Sequence, residues 1–158
     1  MHETQAPEQL ATYAQIRWSG MEILARREHS RLELLRKLQL RYPDSQVLID
    51  QVIGDLQLER LQSEERYTES YTAMRKRKGY GPQRLQQELR EKGIEQSLAQ
   101  EELSKPEHDW FAQAETVLRK KFSEPATELK ERSRQLRFLQ YRGFSFDQIQ
   151  AAMKLDSR

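Results

Sequence analysis

The sequence predicts an all-α protein built from three tandem three-helix repeats, helix-turn-helix-like triplets in an elongated array. Three observations lead to that class. The composition favours helix: Gly and Pro number only six and five among 158 residues, while Leu, Gln, Glu, Arg and Lys, which lose little side-chain freedom in a helix, dominate. Apolar residues recur at intervals of three and four, as in Ile49, Val52, Ile53 and Leu56, or Leu32, Leu35 and Leu38, giving each helix one stripe to bury. No alternating strand pattern competes. Finally, the segments ELLRKLQLRYPD, RLQQELREKGIE and QLRFLQYRGFSF align with Leu38, Leu89 and Leu139 in one register, 51 and 50 residues apart, as an internal repeat requires.

Each aligned helix carries start and stop signals. In the first repeat Ser30-x-x-Glu33 is a capping box, and Tyr42-Pro43 ends the helix because proline lacks a donor and restricts the residue before it. In the second, Gly81-Pro82 places proline at the first helical position, and Gly93-Ile94 is a left-handed glycine followed by an apolar residue that folds back. In the third, Ser145-x-x-Gln148 is again a capping box, and Gly143-Phe144 repeats the glycine stop. Amphipathic stretches complete helices near 11–28, 30–41 and 45–59, then 63–78, 82–92 and 95–104, then 107–122, 126–142 and 145–153. The repeats divide as 1–62, with an N-terminal extension, 63–106 and 107–158. Helices this short are marginal alone, so each triplet must pack internally. Trp18, Trp110, Phe111, Phe122, Phe138 and Phe144 stand at helical spacing from aliphatic residues and are assigned to the core; Tyr67 and Tyr71 share one packing face.

Composition also narrows function. The chain has no Cys, which excludes disulfides, thiolate metal sites and cysteine nucleophiles and is compatible with a reducing compartment. The start, MHETQAPEQL, has neither a basic n-region nor an apolar h-region, and no apolar run approaches the ~20 residues a membrane helix needs. A cytoplasmic protein with no membrane association is the expectation. His2, His29 and His108 lie far apart without a paired ligand, and the acids Asp50, Asp55, Glu59, Glu64, Glu65 and Glu69 spread over two helices without metal-ligand spacing. Gly79-x-Gly81 has Arg84 where a dinucleotide fingerprint has its third glycine, and no strand precedes it. No nucleophile elbow is present. The sequence therefore predicts no metal, no cofactor and no catalysis.

The net charge of +2 conceals alternating blocks. Arg26 to Arg41 holds six cations against two acids, Asp44 to Glu69 seven acids against two cations, and Arg75 to Lys92 seven cations against two acids. The sharpest block is Arg75, Lys76, Arg77 and Lys78, followed by Tyr80 between two glycines and by Arg84. Cations at a helix C-terminus complement its dipole, but four in succession repel one another and point to an anionic partner, either phosphates or acidic side chains. Arg26-Arg27 and Arg119-Lys120-Lys121 end the corresponding helices of the other repeats, so the cationic helix end is itself repeated. Arg134, Arg137 and Arg142 extend the basic side. Tyr80 could stack on a base, pair with a cation or close the interhelical turn.

The stretch MRKRKGYGPQRLQQELREKGI, Met74 to Ile94, closely resembles the signature of the RecX family of bacterial RecA regulators. In that signature a basic Lys-Gly-x-Gly-Pro segment precedes a Leu-x-x-Lys-Gly-Ile helix end. LARREHSRLELLRKL, Leu24 to Leu38, and RFLQYRGFSFDQI, Arg137 to Ile149, match the family in the right order. At Leu61 to Tyr67 the chain departs from the family's Leu-Asp-Asp pattern, keeping the acidity and the Arg66-Tyr67 pair. The resemblance implies tandem three-helix repeats and a regulator that inserts into the RecA nucleoprotein filament groove, inhibiting ATP hydrolysis, strand exchange and coprotease activity; a monomer is the expected state. Single- or double-stranded DNA is a further partner class. Arg75, Lys76, Arg77, Lys78 and Arg84 are expected to contribute most, several weak contacts adding as avidity. The competing reading is a helical protein that binds DNA independently of RecA. Against it stand the high acid content and the modest positive excess.

Overall fold

A computed structural model describes residues 10–154, all of whose regular structure is helical: nine α-helices and one short 3-10 turn. The expectation of an unsignalled N-terminus and the position of His2 fall outside the described residues. The helices are α1 (Tyr13–Arg26), α2 (Arg31–Arg41), α3 (Gln46–Leu58), α4 (Glu64–Arg77), α5 (Pro82–Glu91), α6 (Gln96–Leu103), α7 (Trp110–Lys121), α8 (Leu129–Arg142) and α9 (Phe146–Ala152). They form three successive triplets. By contacts the chain divides into two compact units, residues 1–67 and 68–158, the division falling inside α4.

In the first unit α1, α2 and α3 close around Ile16, Leu34, Leu38, Ile49, Val52, Ile53 and Leu56, all inaccessible to solvent. The capping boxes at Thr12/Gln15 and Ser30/Glu33 satisfy the first amides of α1 and α2. Tyr42 ends α2 by donating its N–H to Leu38 O at 2.8 Å, ahead of Pro43. Trp18, expected in this core, is instead 66% exposed. Two residues from Ile16 it stands about 200° away on the helix, so the contact is made by Ile16, Ser19 and Gly20. A Cβ on Gly20 would lie 3.0 Å from Leu56 Cδ1, so the missing side chain is what lets α1 approach α3. On α2 the buried stripe runs through Leu34 and Leu38, with Leu32 and Leu35 only half-buried, a rotation from the stripe read in the sequence.

A buried polar knot joins α2 to the start of α4 within this unit. His29 is 2% exposed. Lys37 Nζ, which can only donate, lies 2.7 Å from His29 Nε2, so the ring is neutral and its Nδ1–H donates to Arg27 O at 3.0 Å. Gln62 Nε2 donates to His29 O at 3.1 Å, and Arg66 bridges Glu28 at 2.9 Å.

In the second unit α4, α5 and α8 end alike. Gly79, Gly93 and Gly143 have φ of 92°, 81° and 95°. Each glycine N–H returns to the carbonyl three residues back, and the next residue's N–H to the carbonyl five back, as with Tyr80 to Arg75 O, Ile94 to Leu89 O and Phe144 to Leu139 O. This is the Schellman ending, legible at Gly93 and Gly143 but not foreseen at Gly79. α7 begins at Trp110 rather than at 107, because Pro106–His108 form the 3-10 turn and Asp109, at φ 42°, caps the helix by accepting from Ala112 N–H. α8 begins at Leu129 rather than 126. The core holds Leu85, Leu89, Leu118, Leu139, Phe144 and Ile149, with Trp110 at 9% exposure; Phe122 and Phe138 are half-buried. Phe111 is 51% exposed, since the buried face of α7 follows Trp110, Ala114, Val117 and Leu118 and Phe111 flanks it in the first turn.

A backbone joint locks this unit. Gly81 N–H donates to Arg142 O at 2.7 Å and Gln83 N–H to Gly143 O at 2.9 Å. In return Arg142 Nη1 donates to Lys78 O at 2.8 Å and Arg84 Nη1 to Tyr141 O at 3.2 Å. The Gly81-Pro82 turn thus lies directly on the end of α8. A Cβ on Gly81 would stand 2.7 Å from Gly143 O, and one on Gly143 2.3 Å from Arg84 Cβ. No side chain fits at either place.

Three outcomes are expected. Gly143→Ala combines a left-handed φ with that clash and should lower stability by about 3 kcal/mol or more, read as a fall in Tm; Gly54→Ala, in a helix interior with open space at Cβ, should raise stability by about 0.5–1 kcal/mol. Burial holds the His29 pKa below its ordinary 6.5, outweighing the Arg27 carbonyl, which favours the charged ring, while the Arg27 and Lys37 charges disfavour it. The unfolded chain then takes up the proton first, so this stabilising contribution is complete above pH 6.5 and is lost as pH falls through the interval between the two pKa values. Urea unfolding of wild type and His29→Gln at pH 8, 6.5 and 5 should show a stability gap that narrows towards acid; a constant gap would sink the assignment.

Candidate partner-binding site

Helix periodicity splits the basic quartet at the end of α4. Arg75 turns inward: its Nε and Nη2 donate to Glu88 Oε1 and Oε2 at 2.8 and 2.9 Å, with side-chain exposures of 17% and 16%. Burial disfavours its charge, but the Glu88 pair, aided by Tyr71 and Tyr80, raises its pKa overall. Its guanidinium also lies 3.9 Å from the centre of the Tyr80 ring, which Arg84 at 4.4 Å and Arg142 at 4.9 Å share. The ring's quadrupole and the Glu88 carboxylate offset the mutual repulsion of three cations. Of the three roles open to Tyr80, the structure shows it pairing with cations while closing the turn after α4.

The remaining cations face outward. Lys76 Nζ lies 5.4 Å over Trp110, and its carbonyl accepts from Gln113 Nε2 at 2.8 Å, which ties α4 to α7. Arg77 and Lys78 are exposed, as are Lys120 and Lys121 at the end of α7. Among the described residues these last four have no ion-pair partner. A groove of about 420 Å³ is lined by Lys76, Arg77, Lys78 and Gly79 from the end of α4, Lys120, Lys121 and Val117 from α7, and Phe138 and Arg142 from α8. Two cationic helix ends that the sequence places in separate repeats therefore meet in one site. Arg119 does not line it; it is half-buried, and its Nη1 is enclosed without a hydrogen-bond partner. Arg84 lies on the Tyr80 and Tyr141 side, its Nε 3.9 Å from Glu88. Arg26 and Arg27 belong to the first unit. Arg26 is exposed, and Arg27 bridges Glu33 at 3.1 Å.

Sequence reasoning missed Glu88 as the internal counter-ion, although its place four residues after Arg84 was the available signal. It also missed Phe138 as a groove residue. The acidic run proves to cap and pair: Asp55 holds the Tyr13 hydroxyl, Glu59 bridges Arg17 at 2.7 Å, Glu64 accepts Arg31 N–H at 2.6 Å and Glu69 meets Lys105 at 3.4 Å. His108 pairs with Glu102 at 3.1 Å and stacks on Trp110 at 5.0 Å. Among the described residues no group of three or more His, Cys, Asp or Glu could hold a metal, and no helix is long and apolar enough to cross a membrane.

Comparison with known proteins agrees with this architecture. Residues 63–103 match the family model described as RecX, second three-helix domain, and residues 107–153 the one described as RecX, third three-helix domain. The chain is 46% identical to the Regulatory protein RecX of Ectopseudomonas mendocina (strain ymp), over 85% of this chain and 89% of that one. It is 42% identical to the Regulatory protein RecX of Pseudomonas tolaasii, over 89% and 90%. The crystal structure of RecX from Lactobacillus salivarius superposes with a TM-score of 0.74 at 21% identity, covering 91% of this chain and 97% of that chain, which speaks to the fold. A second crystal structure, of regulatory protein RecX, gives 0.69 at 20% identity, covering 91% and 74%. With helices, repeats and signature segment in agreement, the chain belongs to the RecX family of regulatory proteins.

Proposed function

We propose that the chain is a negative regulator of RecA that binds the groove of the RecA nucleoprotein filament and inhibits its ATPase, strand-exchange and coprotease activities. The supporting observation is the single groove that gathers Lys76, Arg77, Lys78, Lys120 and Lys121 in a protein of this regulatory family. Clustered unpaired cations offer charge complementarity to the anionic surface of a nucleoprotein filament and speed encounter with it. In this reading the repeats 1–62, 63–106 and 107–158 each present a basic helix end, with Arg26 and Arg27 and with Arg119 as secondary contributors. Arg75, Tyr80 and Arg84 act by holding the turn beside the groove. The protein works as a cytoplasmic monomer without cofactor and catalyses nothing itself. Binding to DNA without RecA is the second reading, supported only by the sequence-independent attraction of exposed cations for phosphates.

The test is RecA's DNA-dependent ATP hydrolysis titrated with the wild type and with Arg77→Glu/Lys78→Glu. Both positions are exposed, so the variant should keep its stability within about 0.5 kcal/mol and lose inhibition by about tenfold or more, most visibly at low salt. Unchanged hydrolysis with wild type, together with tight binding to RecA-free DNA, would replace the first reading by the second.

A further inference from the structure

The basic groove of the second unit distinguishes between two kinds of polyanion. A single strand of nucleic acid gains much of its hold on a protein by stacking bases on free aromatic faces, and the aromatic rings here are already occupied. Phe138 has the Arg142 guanidinium 5.1 Å from its centre and Phe122 packed edge-to-face at 5.5 Å, while Tyr80 is covered by three arginines. The groove lies at the C-terminal ends of α4 and α7, where the helix dipoles favour neither phosphate nor carboxylate, so the side-chain cations alone supply the attraction for an anion. What it offers instead is a cationic rim of Arg77, Lys78, Lys120 and Lys121 around a small apolar floor of Val117 and Phe138, with Gln113 and Thr116 beside it. Such a floor contributes only to a ligand with an apolar group to bury.

We propose that this groove takes an acidic peptide segment, one whose carboxylates meet the rim while an aliphatic or aromatic side chain rests on Val117 and Phe138. The inference rests on the regulatory reading above and names the partner chemistry of the same site: a protein surface or tail rather than a phosphate backbone.

Fluorescence anisotropy on the full chain tests it with three labelled probes. One is a dodecapeptide of Asp and Glu with a central Phe-Leu pair, the second has Gly-Gly in place of that pair, and the third is oligo-dT of equal charge. The Phe-Leu peptide should bind about tenfold more tightly than the Gly-Gly peptide and more tightly than oligo-dT. Lys78→Glu/Lys121→Glu should abolish that preference, whereas the same reversal on exposed α8 residues, Lys130→Glu/Arg132→Glu, should retain it. Equal affinity for the two peptides, tighter binding of oligo-dT, or equal loss in both variants would each overturn the proposal. RecA hydrolysis measured on the same preparation keeps the two ideas separable. Inhibition without peptide preference sinks only the groove's assignment, while peptide preference without inhibition supports the assignment and sinks the RecA reading.

Discussion

Two main-chain hydrogen bonds, from Gly81 to Arg142 O and from Gln83 to Gly143 O, place the turn after α4 against the end of α8. They are possible because neither glycine carries a Cβ. Main-chain groups that leave water at so close an approach must find partners, and here the helix ends supply them: a carbonyl stranded at the C-terminus of α8 accepts an amide stranded at the start of α5. The contact joins elements from the second and third triplets, consistent with their lying in one compact unit, residues 68–158. The rest of the site follows from it. With the turn fixed, Arg75, Arg84 and Arg142 are brought onto one tyrosine ring, and the outward residues of the same basic run meet the end of α7.

What the sequence revealed was the local chemistry. Capping boxes at Ser30 and Ser145, proline at the start of α5, and glycine stops at Gly93 and Gly143 all appear where the spacing placed them, because each motif is closed by residues within five positions. Burial was less legible. Trp18 and Ile16 are both large and apolar, and α1 could have faced its core with either; Gly20 against Leu56 decides the matter, and that contact depends on a residue 36 positions further along the chain. Phe111 fails for a related reason, lying at the margin of a stripe whose centre is set by how α7 packs on α9 and α8.

The basic run shows the same limit at the site. Read along the chain, Arg75 to Lys78 is one patch of charge. Folded, it divides, since residues on successive helix positions turn through about 100° each: Arg75 reaches Glu88, thirteen residues away on the next helix, while Arg77 and Lys78 remain in solvent. Gly81, the glycine after Tyr80, is where this turn touches another main chain, that of Gly143.

The partition between arginine and lysine follows from their chemistry. A planar guanidinium stacks on an aromatic face and still spends its N–H groups on carbonyls and carboxylates, as Arg75, Arg84 and Arg142 do; the compact, strongly hydrated ammonium of lysine gives up more on leaving water. Lys78, Lys120 and Lys121 accordingly stay at the rim. Arginine thus builds the joint, while lysine and Arg77 carry its uncompensated charge. Charges held this way act over roughly a Debye length, so they favour encounter with an anionic surface and weaken as salt rises. The joint, made of main-chain hydrogen bonds, guanidiniums on the Tyr80 ring and the half-buried Arg75–Glu88 pair, is screened much less by salt. The two can therefore vary separately: the rim can be altered to change what it attracts without disturbing the geometry that presents it.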